Sequence, residues 1–341
     1  MQNTLAMTDE IVLTIKDFAK TINASPQSRG DMSSLIHTTS RLKLANFDYW
    51  ESLIRYEFRK ALDESAPLKR IQWLKPKRKT PWLDMVSWDG YERENSLHIL
   101  SGSAPNAFFL ALLIRRLNDW LPQVRKTARI VLPSIIKETP SEYLVDAMCV
   151  TLLSWYSWER IRESDKQSLF STLSTKKVAK LLKSKLISST SGPMPTLLSQ
   201  LGHTSVLDGY LDEIANEAMQ PHVRAKAYRS LFEKRIFWIV GQEWQWTDKA
   251  YGKRKLIAII NERKIEVQTP FLELLYRSAT DRSAIVRQIS AEFLIRNIDS
   301  LGHQSRVFAE KFAADRSSNV AERGQFVLKK LDEMTLDKNG F

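Results

Sequence analysis

Apolar positions in this chain recur at helical spacing, and four segments share one arrangement of them. Each starts with Asp or a small residue and reaches Val after four variable positions, usually followed by Arg. Ala, Ser or Gly then stands three positions past the Arg slot, and Leu seven past it. The copies are 119–132 (Asp119, Val124, Arg125, Ala128, Leu132), 218–231 (Ala218, Val223, Arg224, Ala227, Leu231), 281–294 (Asp281, Val286, Arg287, Ser290, Leu294) and 315–328 (Asp315, Val320, Ala321, Gly324, Leu328). A weaker copy carries Arg93, Ser96 and Leu100. The Val slots, with Glu92 in the weak copy, are separated by 32, 99, 63 and 34 residues, about one, three, two and one units of roughly 33. A fixed period of that size marks an array of helical repeats.

Val, the small residue and Leu lie at offsets 0, 4 and 8, so one helix face carries all three. The small slot lets neighbouring helices approach. Asp at the start suits a helix cap, and Arg can reach the next repeat's Asp. The period further predicts an apolar helix over 106–117, ended by Asn118 and Asp119. Pro122 and Pro221 open the following helices in the same slot, where a missing N–H is not needed. Upstream, the pattern predicts a short helix at 8–22 and another at 42–62 with Phe47, Trp50 and Phe58. The expected organisation is a loosely ordered segment at 1–35, a helical region with a basic segment at 36–84, the repeat array at 85–332 and a tail at 333–341. The fold class is all-α, a right-handed α-solenoid of about seven helix pairs. The units near 157, 190 and 256 depart from the template, and such departures are where function is sought.

Charge changes the picture more than composition does. The chain of 341 residues has 51 Lys and Arg against 39 Asp and Glu, a net charge of +12. That balance favours a polyanionic partner. Three blocks concentrate it: 69–79; 166–207, which has six Lys and no acid; and Lys249, Lys253, Arg254 and Lys255. On a helix, Lys176, Lys180 and Lys183 share a face opposite Val178, Leu181, Leu182 and Leu186. The single Cys149 sits in an apolar run and fits a small buried hydrophobe in a reducing, cytoplasmic setting. Five scattered His show no metal-ligand spacing, so no metal and no cofactor are expected. No apolar run is long enough to span a membrane, and a monomer is expected.

Ten Trp stand out, several beside charge. Trp155 precedes Glu159, and Trp244 precedes Asp248, each by four positions; on a helix each pair would share one face. A carboxylate beside an aromatic wall in a basic groove can stabilise the cationic sugar formed when an N-glycosidic bond breaks. A third dense cluster runs from Arg115 through Arg116, Asn118, Asp119 and Trp120 to Arg125, and aligned turns would bring Asp89, Arg93, Asp119 and Arg125 together. The candidate catalytic residues are therefore Asp248, Trp244, Glu159, Trp155 and Asp119. The candidate DNA contacts are Arg93, Arg116, Arg125, Lys176, Lys180, Lys183, Arg224, Lys253 and Arg254.

The array resembles HEAT repeats over about residues 85–332. Phe237-Trp238-Ile239-Val240-Gly241-Gln242 and Lys249-Ala250-Tyr251-Gly252, with Arg224-Ala225 and Pro195-Thr196 in register, are similar to stretches of the AlkD-type DNA glycosylases, over about 65 residues. The resemblance implies a concave helical surface that removes modified bases and assigns Arg224 to its active-site Arg. In the same register the family's catalytic Asp falls at Ser191, its paired Trp at Ile187 and its second Trp near Lys253. Another carboxylate must then serve, or the protein only binds. The expected function is binding of double-stranded DNA with excision of modified or damaged bases, of the kind used in phage defence. The alternative is a non-enzymatic repeat scaffold that grips protein or nucleic acid.

Overall fold

A computed structural model describes residues 2–24, 31–64 and 80–339. The described chain is mostly helical. In order it forms α1 (Gln2–Ala24), α2 (Ser33–Ser40), α3 (Phe47–Glu64), α4 (Pro81–Asp84), α5 (Gly90–Ile99), α6 (Ala107–Arg115), α7 (Pro122–Glu138), α8 (Ser141–Ser154), α9 (Glu163–Leu173), α10 (Lys176–Ser188), α11 (Met194–Leu201), α12 (Leu211–Glu217) and α13 (Pro221–Glu233). A two-stranded antiparallel hairpin follows, β1 (Arg235–Asp248) and β2 (Lys253–Lys264). The chain ends with α14 (Phe271–Ala279), α15 (Ala284–Arg296), α16 (His303–Ala313) and α17 (Ser318–Asn339). No described helix is long and apolar enough to cross a membrane.

The chain divides into two compact units, Met1–Val178 and Ala179–Phe341, with the division inside α10. In the first unit α1 packs on α3, α5 on α7 and α6 on α8. In the second, α11, α13, α15 and α17 pack successively, and α12, α14 and α16 lie against α13, α15 and α17. Val124, Val223, Val286 and Val320 are fully buried, as are Ala128, Ala227 and Ser290. Gly324 explains why that slot stays small: a Cβ there would lie 2.2 Å from the backbone nitrogen of Ala313 on α16.

The Arg and Asp slots form a recurring clamp. Arg93 donates from Nε and Nη2 to Asp119, at 2.8 and 2.7 Å. Its Nη1 donates to Ser87 O and Trp88 O in the turn before its own helix. Arg224 does the same to Asp281, at 2.8 Å twice, and to Ala218 O and Met219 O. Arg287 repeats it with Asp315 and Asp281 O. Each Asp also accepts a backbone N–H two residues on: Leu121, Ser283 and Ser317. One side chain thus closes its own turn and fixes the next.

Four expectations need correction. The segment 1–35 is not loose where described: α1 runs 23 residues and buries Ile11, Ile15, Phe18 and Ile22. The stretch 85–332, expected to be one array, is divided between the two compact units. The tail at 333–341 begins inside α17, which continues to Asn339. No helical unit exists near 256. The interval of 63 residues between Val223 and Val286 holds the hairpin, and Arg224 clamps Asp281 directly across it. The basic block at 69–79, including Trp73, lies outside the described residues.

Removing Arg224, with its guanidinium buried, strands Asp281; Arg224→Ala is expected to cost about 3–5 kcal/mol. Arg287→Ala, at a more open clamp, should cost about 1–3 kcal/mol by urea unfolding. The pH dependence follows from Asp315, whose carboxyl lies below its ordinary 3.8 because Arg287 hydrogen-bonds its charged form, against an opposing effect of burial. A lowered folded-state pKa stabilises above the unfolded value and is lost on acidification. Stability should therefore fall below about pH 5, and Asp315→Asn should flatten that acid limb; an unchanged limb would count against the clamp.

Candidate nucleic-acid interface

The hairpin carries the candidate interface of the second unit. Its strands are rich in β-branched and aromatic residues, which suit a pleated surface. Its root is anchored: Ile236 and Trp238 are buried, and Gln200 of α11 donates to Ile239 O at 3.0 Å. Gly202, the C-cap of α11, allows this approach, since a Cβ there would lie 2.2 Å from Ile236. Arg263 donates to Gly202 O, Thr204 O and both oxygens of Asp208. From Val240 outward nearly every residue of both strands is exposed.

The register puts Trp244 opposite Leu256 and Trp246 opposite Arg254, on one face. Trp244 is 57% and Trp246 52% exposed. The guanidinium of Arg254 sits 4.4 Å from the centre of the Trp244 ring. At the tip Asp248 accepts from the N–H groups of Ala250 and Tyr251, and Gly252 takes φ 65°, a conformation glycine adopts without strain. Lys249, Lys253, Arg254 and Lys255 cluster around this turn.

The first unit carries a second aromatic surface. Trp88, Tyr91 and Trp120 are 70, 76 and 76% exposed; Trp88 lies in the turn before α5, Tyr91 in the first turn of α5 and Trp120 in the turn before α7. Those turns interlock, since Gly90 leaves no room for a Cβ beside Leu121 and Arg93 bridges Trp88 O to Asp119. Arg55 stands 4.9 Å over Trp88, and Arg160 3.7 Å over Trp120. Both units thus pair exposed indoles with arginine.

The structure separates the proposed carboxylates from this chemistry. Asp119 is buried between Arg93 and Arg116. Burial raises its pKa, but the hydrogen bonds from Arg93 and Leu121 N–H and the charge of Arg116 prevail and hold it low. That is a clamped structural anion. Glu159 is highly exposed, while Trp155 is buried edge-on against Phe170. Their helical stack does not form, because α8 ends at Ser154 and a 3-10 turn follows. Trp244 and Asp248 lie on a strand, where four residues span about 13 Å, and Asp248 is spent on its turn.

The expected DNA contacts also divide. Arg93, Arg116 and Arg224 are buried, and Arg116 is paired with Glu51 at 2.5 Å. Arg125 donates to Asp119 O and Trp120 O. Lys183 is paired with Glu213. Lys176, Lys180, Lys253 and Arg254 remain exposed. Among the described residues no cluster of three or more His, Cys, Asp or Glu is placed to hold a metal. Helical periodicity alone misses the hairpin, although the alternation of Glu243-Trp244-Gln245-Trp246-Thr247 signals a strand. It also misses the stacking partners Arg55 and Arg160, which lie far from their indoles in sequence.

Compared with known protein families, curated proteins and solved structures, the chain matches none. The chemistry therefore rests on the geometry just described.

Replacing 240–259 by Asn-Gly, a two-residue hairpin turn, removes only the outer hairpin. Far-UV circular dichroism should keep its helical signal, and Tm should move by less than about 4 °C. A collapse of the helical signal would make the outer hairpin part of the core instead.

Proposed function

We propose that this protein binds nucleic acid, with duplex DNA as the leading partner, on a right-handed solenoid of HEAT-like repeats. The observation that carries the reading is the outer hairpin. It projects two exposed indoles, an arginine stacked on one of them and a basic tip. A two-stranded ribbon fits the major groove of B-DNA. Indoles also stack on unpaired bases without regard to sequence, and cations follow the backbone. The net charge of +12 and the exposed Lys176 and Lys180 support the same partner. The successive packing of α11, α13, α15 and α17 supports the solenoid.

Binding is favoured over base excision by the state of the three carboxylates: Asp119 is clamped, Glu159 stands apart from Trp155, and Asp248 caps a turn. None is an unengaged carboxylate beside an exposed indole. Arg224, which the resemblance to AlkD-type glycosylases would make catalytic, is committed to Asp281.

Binding to a labelled duplex should weaken steeply with salt. Trp244→Ala and Trp246→Ala, made one at a time, should each weaken binding about 5- to 150-fold. Lys253, Arg254 and Lys255 changed together to Ala should reduce the salt slope by about one for each phosphate that is no longer neutralised. Absence of binding at low salt would sink the reading and leave a protein partner. Alkali-labile sites appearing in methylated or phage-modified DNA would restore base excision.

A further inference from the structure

A cavity of about 670 Å³ opens in the second unit at the root of the hairpin. It lies where α13 ends, α14 begins and α15 ends, and its size is that of a small-ligand site. Phe232 and Phe293 stack at 4.6 Å and form its wall, and Phe271 meets Phe232 edge-on at 5.2 Å. Phe271 is the least buried of the three rings. Three cations line the cavity: Lys234, Arg235 and Arg296. Against them stands one acid, Glu233, already shared by Arg229 and Arg296.

The three cations differ in commitment. Arg235 reaches Glu262 only at 3.2 Å, and both groups are half-exposed. Arg296 is held by Glu292 and Glu233. Lys234 makes no ion pair among the described residues. It also occupies the left-handed region, φ 54°, the only non-glycine described residue to do so. That conformation is strained for a lysine, and it places the cation at the joint between helix and hairpin. Pro270, Phe271 and Leu272, at the start of α14, line the same cavity, and the N-cap Pro270 supplies no side-chain acceptor for the first N–H groups of that helix. Asn297 donates to Phe293 O at 2.8 Å, and its Oδ1 has no partner among the described residues. Aromatic wall, excess positive charge and a free acceptor together match one chemistry, a planar base joined to a phosphate.

We infer that this cavity binds a single nucleotide, with the base against Phe271 and the phosphate between Lys234, Arg235 and the start of α14. The inference rests on the nucleic-acid reading only for the source of the nucleotide, which is either free or one residue of a strand held on the hairpin.

The test is titration of the full chain with AMP, TMP, adenosine and inorganic phosphate, followed by NMR and calorimetry. The monophosphates should bind at least tenfold more tightly than adenosine or phosphate alone. Lys234→Asn, which keeps a residue tolerant of the left-handed region, combined with Arg235→Gln should weaken AMP at least tenfold. Leu272→Trp should fill the cavity and block AMP with the helical signal unchanged. A strand carrying 5-iodouracil should photo-crosslink to Phe271 if the nucleotide belongs to a bound strand; free nucleotide as the source predicts crosslinks at Trp244 alone. No saturable AMP binding at millimolar concentration, or binding indifferent to these substitutions, overturns the inference. If AMP fails while strand binding still depends on Trp244, the cavity assignment alone is wrong. If AMP binds but no strand does, the hairpin reading alone is wrong.

Discussion

The arginine–aspartate clamp is the interaction on which the helical framework depends. Arg93, Arg224 and Arg287 each satisfy carbonyls of the turn before their own helix and the carboxylate that opens the next one. Buried charges are costly unless paired and fully hydrogen-bonded. Here both oxygens of each Asp accept from the guanidinium, and one also caps a backbone N–H. The arrangement is rigid because the guanidinium fork has a fixed geometry. It sets the spacing of successive helix layers, and the Val, small and Leu slots then fill the space between them.

The same clamp tolerates an insertion. Arg93 and Asp119 are 26 residues apart, Arg287 and Asp315 28, yet Arg224 and Asp281 are 57 apart with the same geometry. The extra chain is the hairpin, which leaves the helical framework at Lys234 and returns at Ile265, whose N–H donates to Lys234 O at 3.0 Å. A short closed root therefore lets a long projection be added without disturbing the neighbouring helices. The hairpin meets the framework through Ile236, Trp238 and Arg263, and its outer part is left to meet something else.

Much of the framework is legible in the sequence. The period, the buried Val slots, the small slot and the Arg-to-next-Asp bridge all follow from spacing, because a helix face repeats every 3.6 residues. The hairpin escapes that reading for a specific reason. Its 63-residue interval is close to two repeat lengths, so arithmetic counts it as a worn unit. The strand alternation at 243–247 is the better signal, since a period of two cannot be helical. The Trp–carboxylate pairs fail because neither lies on a continuous helix: α8 ends at Ser154, before Trp155 and Glu159, and Trp244 and Asp248 lie on a strand, which holds positions four apart away from each other.

The sequence by itself determined the mostly helical class and the spacing of the buried Val and small slots, because these are local periodicities at fixed offsets. It also determined the basic excess and the supply of indoles. Only the tertiary structure decided which charges remain available. Arg93, Arg116 and Arg224 look like DNA contacts in one dimension and are spent on buried carboxylates in three. Arg160 and Trp120, forty residues apart, become a stacked pair. Whether a charged group is free depends on the partner that folding brings to it. For Arg224 that partner lies 57 residues away, across the hairpin, a separation no local pattern encodes.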